Sequence, residues 1–103
     1  MLAQEVTISS LAELRRFVNE IMCEHDGLEP GAFPVTERIL VRGACPCGIF
    51  FCLHGPRSVK YTAIWETDRN SILFYGNDGE RFRRVQLIDS SSLSPLAPEL
   101  LAA

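Results

Sequence analysis

Three cysteines and a histidine fall within one short stretch, Cys45-Pro46-Cys47-Gly48 followed by Cys52-Leu53-His54. Formally they supply three thiolates and an imidazole, the donor set of a tetrahedral zinc site. Zinc requires donor atoms that converge on one point. Cys52 and His54, two apart on an expected strand, share a face. Cys45 and Cys47 join them only if Gly48 bends the chain, because Cys47 and Cys52 have opposite parity in a regular strand. The C-x-C spacing also lacks the extra residue of the C-x-x-C zinc turn, which lets backbone amides point at the sulfurs. The favoured reading makes Cys52 a small buried hydrophobe within Ile49-Phe50-Phe51-Cys52-Leu53 and makes Cys45 and Cys47 turn residues. A zinc-stabilised domain using Cys45, Cys47, Cys52 and His54 stands as the alternative, and no other cofactor is expected.

The same residues admit two further chemistries. A disulfide between Cys45 and Cys47 would close a small strained ring and be readily reduced. Cys52 with His54 could act as nucleophile and base, but side chains two apart on one strand stand side by side, and no carboxylate nearby in sequence orients the imidazole. His54 reads instead as a strand-end residue before the Gly55-Pro56 turn. On the expected helix, His25 lies near the C-terminus, where an imidazolium suits the macrodipole. Cys23 falls on the polar side, as an exposed free thiol.

A second constellation mixes cations and aromatics. Arg57, Lys60, Arg81, Arg83 and Arg84 lie among Tyr61, Trp65, Tyr75 and Phe82, the mixture that nucleic-acid-binding sheets use for phosphate contact and base stacking. Arg57, Lys60, Tyr61, Trp65 and Arg83 are the candidate binding residues, with Arg57 on a tight turn where it could grip an anion bidentately. Against a nucleic acid stand a pI near 5.3 and the absence of any ribonucleoprotein signature. A weak nucleic-acid-binding sheet is kept as an alternative and is not the expected function. No Walker loop, dinucleotide fingerprint, H-E-x-x-H or G-x-S-x-G occurs, so nothing makes a positive case for an enzyme.

These residues need elements to position them. Val6-Thr7-Ile8 reads as a short first strand. Ser10-Leu11-Ala12-Glu13 has the capping-box pattern, with Ser10 as N-cap and Glu13 reaching back to its amide. From there Leu11, Leu14, Phe17, Val18, Ile21 and Met22 gather into one stripe at helical spacing, with His25 inside it and Glu13, Arg16, Asn19, Glu20 and Glu24 opposite. Gly27 is the expected left-handed stop. Two prolines and a glycine break Leu28-Glu29-Pro30-Gly31-Ala32-Phe33-Pro34 into a crossing loop pinned by Phe33. Strands are expected over residues 38–44, 49–54, 59–67, 71–76 and 81–88. Hairpin turns fall at Asp68-Arg69-Asn70 and Asn77-Asp78-Gly79, and the latter sets Phe74 across from Phe82. Connections this short demand antiparallel neighbours.

The expected fold is therefore α+β: one amphipathic helix on a five- or six-stranded, mostly antiparallel meander sheet that could curl on itself. Residues 1–88 form a single domain, and the Ser- and Pro-rich stretch 89–103 reads as a flexible tail. At 103 residues one core is possible and two are not. The start Met1-Leu2-Ala3-Gln4-Glu5 does not read as a secretory signal, and the uncharged run Gly43 to Pro56 is too short and broken to span a bilayer. A cytoplasmic protein with no membrane partner is expected, its four cysteines being thiols or metal ligands. The net charge of −3 is uneven, with an acidic helix and tail and a mildly basic sheet.

Function is expected to be that of a small, non-catalytic interaction module acting through the sheet face or edge the helix leaves uncovered. Both Ile49-Phe50-Phe51-Cys52-Leu53 and Ile72-Leu73-Phe74-Tyr75 lack apolar-polar alternation, so both of their faces call for cover. One helix covers only one. A homodimer is the expected solution, with curling of the sheet or a fold-back of the tail leucines Leu93, Leu96, Leu100 and Leu101 as the alternatives, and a different protein as the other partner considered.

Overall fold

A computed structural model describes residues 4–88; the tail expected at 89–103 lies outside the described residues. The chain runs β1 (Gln4–Thr7), α1 (Leu11–His25), β2 (Val35–Arg42), β3 (Cys45–His54), a 3-10 turn at Pro56–Ser58, β4 (Lys60–Glu66), β5 (Ser71–Tyr75) and β6 (Arg81–Ile88). The six strands form one sheet in the order β1-β6-β5-β4-β3-β2. Strands β2 to β6 are the expected antiparallel meander, while β1 pairs with β6 in parallel. The sheet is mixed and does not close on itself, so the curled alternative is not what forms. Strands β1 and β2 occupy opposite edges and run the same way, as a helical return between them demands. Helix α1 thereby crosses beneath the sheet, closest to its central strands β3 and β4. Among the described residues no helix is long and apolar enough to cross a membrane.

The helix begins as its sequence requires. Ser10 is extended and its Oγ accepts from the Glu13 amide at 3.1 Å. The reciprocal half of the box is dominated by the neighbouring residue, because the Glu13 carboxylate takes the amide (2.8 Å) and hydroxyl (2.5 Å) of Ser9, with the Ser10 amide a minor further donor. The two Ser9 donors hold its carboxyl below the usual range, with the hydroxyl the larger cause. At the other end Gly27 takes φ +68°. The Gly27 amide donates to Glu24 O and the Leu28 amide to Cys23 O, the paired bonds of a Schellman stop.

Leu14, Val18 and Met22 are fully buried against Ile49, Phe51, Leu53, Tyr61, Ala63, Trp65, Ile72, Phe74 and Val85 on one sheet face. Cys23 is fully buried as well, which corrects its expected exposure. The Schellman reversal sends the chain back past that flank of the helix, and Leu28 and Phe33 pack against the core from the crossing loop. A helical wheel drawn for the helix alone cannot register that cover.

Candidate functional site

Alternation along β3 sends Ile49, Phe51 and Leu53 beneath α1 and sends Phe50, Cys52 and His54 to the opposite face. Among the described residues no helix or strand lies over that second face. The register then builds a row across it: Arg38 pairs with Phe50, Phe50 with Ile64, Ile64 with Leu73, and Leu73 with Arg84. Phe50, Ile64 and Leu73 are half-buried, and the two arginines closing the row are exposed. The Arg38 guanidinium carbon lies 5.3 Å from the centroid of the Phe50 ring, a cation–π contact. The adjacent row holds Thr36, Cys52, Thr62 and Tyr75. Thr36, Glu37, Arg38, Phe50 and Cys52 line a shallow open depression at its β2 end.

The thiols and imidazole of the zinc reading do not converge. Strand β3 begins at Cys45, and the hairpin turn is Gly43-Ala44, so Cys45 and Cys47 are strand residues and not the expected turn residues. Val41 pairs with Pro46 and Leu40 with Gly48, leaving Cys47 as the extra residue of a β-bulge. The bulge inverts parity. Cys45, opposite Arg42, follows the bare face, while Cys47 keeps the parity of Ile49 on the helix face. Cys45 and Cys52, seven residues apart on one strand, are separated by about 23 Å at the rise of an extended chain. Among the described residues no group of three or more His, Cys, Asp and Glu side chains stands where it could hold a metal ion. Opposite faces likewise disfavour a Cys45–Cys47 disulfide, and all four cysteines are free.

Cys52 and His54 do share a face, but the imidazole Nε2 lies 3.0 Å from Thr36 Oγ1, a hydroxyl on the neighbouring strand. Small Cys52 is buried between its register partners Thr36 and Thr62. These placements order the thiols by reactivity. Cys45 is exposed and Cys47 half-buried, whereas burial pushes the Cys23 thiol above its ordinary pKa. Under native conditions a thiol reagent should modify Cys45 first, then Cys47, and should reach Cys23 and Cys52 only on unfolding. Peptide mapping of timed alkylation checks this; rapid native labelling of Cys23 contradicts it.

The candidate binding residues are divided between separate places. Arg57 is exposed on the 3-10 turn, at φ 58°. Lys60 is exposed at the start of β4, its backbone amide donating to Asn77 Oδ1 at 3.0 Å. Arg83 is half-buried opposite Phe74. Tyr61 and Trp65 are each 2% exposed, packed under the helix and unable to stack on a ligand. Their common parity with Ala63 was the available signal: alternation along Lys60 to Glu66 sends Tyr61, Ala63 and Trp65 to one face and Thr62 and Ile64 to the other. Arg38, Phe50, Ile64 and Leu73 were missed as site residues because only the register aligns them.

A second cluster closes the far end of the helix. The His25 ring stacks on Phe82 at 3.7 Å between centroids and meets Tyr61 edge-on at 5.9 Å. Phe82 is the extra residue of a bulge on β6, so Arg83 and not Phe82 registers with Phe74. The two rings still touch, at 6.0 Å. The Tyr61 hydroxyl donates to Asp26 Oδ2. Burial first, then that hydrogen bond and the Asp26 charge, push the Tyr61 phenol up to about 12. The folded chain thus holds this proton more tightly than an unfolded chain, whose tyrosines titrate near ~10. Its contribution to stability is complete below about pH 10 and is lost as pH rises through about 12. Denaturant unfolding across that window should show an alkaline loss that Tyr61→Phe removes; an identical loss in the variant refutes the assignment.

A scan of protein-family models, a search of curated proteins and a search of solved structures each return no match to the chain.

Proposed function

We propose that the protein is a non-catalytic interaction module whose working surface is the sheet face that α1 leaves bare. The observation that carries this reading is the row from Arg38 through Phe50, Ile64 and Leu73 to Arg84. Its apolar centre is only half-buried and no described element covers it. Contiguous apolar surface rimmed by polar groups is the mark of an interaction site. The polar side chains able to do chemistry fall in two separate places: His54 engages Thr36, while His25, Tyr61 and Asp26 lie together at the end of α1. In that second group the Tyr61 hydroxyl is buried and already committed to Asp26, which leaves no free nucleophile beside the imidazole.

A homodimer centred on Ile64 gains nothing from the two arginines of the row. A two-fold axis along the strands and centred on Ile64 sets Arg38 of one copy over Arg84 of the other. An axis across the strands sets Arg38 over Arg38. Neither arrangement meets an arginine with a carboxylate, so the row is not self-complementary.

The test uses a fluorescent apolar dye on the native protein. Bound dye should brighten with the wild-type chain and lose most of that signal with Ile64→Lys, while circular dichroism shows both chains folded. A wild-type chain that binds no dye, or a variant that binds as much, sinks the reading.

A further inference from the structure

Resting on that reading of the bare face, we propose that its occupant is an amphipathic helix of a partner protein, with carboxylates on both flanks of its apolar stripe. Width supports a helix. Phe50 and Leu73 lie two strands apart, about 10 Å, which matches the roughly 10–12 Å diameter of a helix with its side chains. Arg38 and Arg84 lie four strands apart, about 19 Å. A helix laid along β4 therefore rests its apolar stripe on Phe50, Ile64 and Leu73 and turns its flanks toward the two arginines. The opposite face already accepts such a layer, since α1 packs Leu14, Val18 and Met22 on the same strands.

Charge selects acidic flanks. Arg15 and Arg42 have carboxylate partners in Glu37 and Asp68. Among the described residues Arg38 and Arg84 have none: Arg38 lies over the Phe50 ring, and Arg84 reaches only the amide oxygen of Gln86, at 3.4 Å. Cations at both ends of an apolar row attract a partner carrying acids on either side and repel one carrying bases.

Two labelled synthetic peptides test the proposal by fluorescence anisotropy with the full chain at low ionic strength. Both carry the same leucine stripe at helical spacing, one flanked by Glu and the other by Lys. The Glu peptide should bind at least about tenfold more tightly and weaken with salt. Double substitution Arg38→Glu with Arg84→Glu should reverse the preference, and Ile64→Lys should abolish binding of either peptide. Equal binding of the two peptides overturns the acidic partner; if Ile64→Lys still abolishes both, the bare face stands as the working surface. Binding indifferent to Ile64→Lys overturns both readings. Three results overturn the helix in favour of another occupant. They are tighter binding of a short single-stranded oligonucleotide, a dimer in sedimentation that Ile64→Lys dissolves, and a photo-cross-link from residue 64 to the chain's own residues 89–103.

Discussion

Gly48→Ala should cost about 3 kcal/mol, among the largest losses available to a single methyl group in this chain. A Cβ built at residue 48 falls on the Trp65 carbonyl oxygen, well inside van der Waals contact, and comes within 3.2 Å of the carbonyl carbon. The obstruction is backbone, held in the β3–β4 ladder by the pairing of Gly48 with Glu66 and Ile49 with Trp65. No side chain can swing aside, so the two strands must separate. For a domain of this size the loss corresponds to roughly 12–24 °C in Tm. Gly79→Ala is the control: its φ of +82° penalises a side chain, yet nothing stands within 4 Å, and a cost of about 1 kcal/mol is expected. Thermal unfolding of both variants decides the matter, and equal losses would show that the close approach at Gly48 relaxes at little cost.

Adjacent phenylalanines should separate the two faces of the sheet. Phe51→Ala should destabilise by about 3–5 kcal/mol, because Phe51 is 1% exposed beneath α1 and its removal leaves a cavity in the core. Phe50→Ala should cost only about 1 kcal/mol, because that ring is half-buried on the bare face, against Arg38. The same truncation should then cut dye or peptide binding while Phe51→Ala, where it folds, leaves it. Denaturant unfolding gives the two free energies. Losses of similar size would mean that the face described as bare is core, and the interaction reading would fall with that result.

Local signals in the sequence were enough for α1 and its ends. Ser10, the apolar spacing from Leu11 to Met22 and Gly27 each act within a few residues, and the structure uses all of them. The meander was equally legible, since connections as short as Asp68-Arg69-Asn70 leave antiparallel pairing as the only geometry open to the strands they join. Strand β1 was harder. Its partner β6 lies more than seventy residues away in sequence, and no local pattern specifies a parallel pairing at that distance.

What the sequence by itself determined is thus the class of the fold, the single helix and the alternation within the unbulged stretches of the strands. Even the burial of Tyr61 and Trp65 was contained in that alternation. What only the tertiary structure decided is which residues on different strands meet. The bulge at Cys47 illustrates the reason: one inserted residue breaks the alternation of β3, so Cys45 joins the bare face about 23 Å from Cys52 while Cys47 stays on the helix face, and the zinc set that composition alone had assembled does not converge. The row from Arg38 to Arg84 arises in the same way. Its five members come from five strands, and each is unremarkable in its own segment. They form one surface only because cross-strand hydrogen bonding sets the register, and register is a property of pairs of strands that no single strand carries.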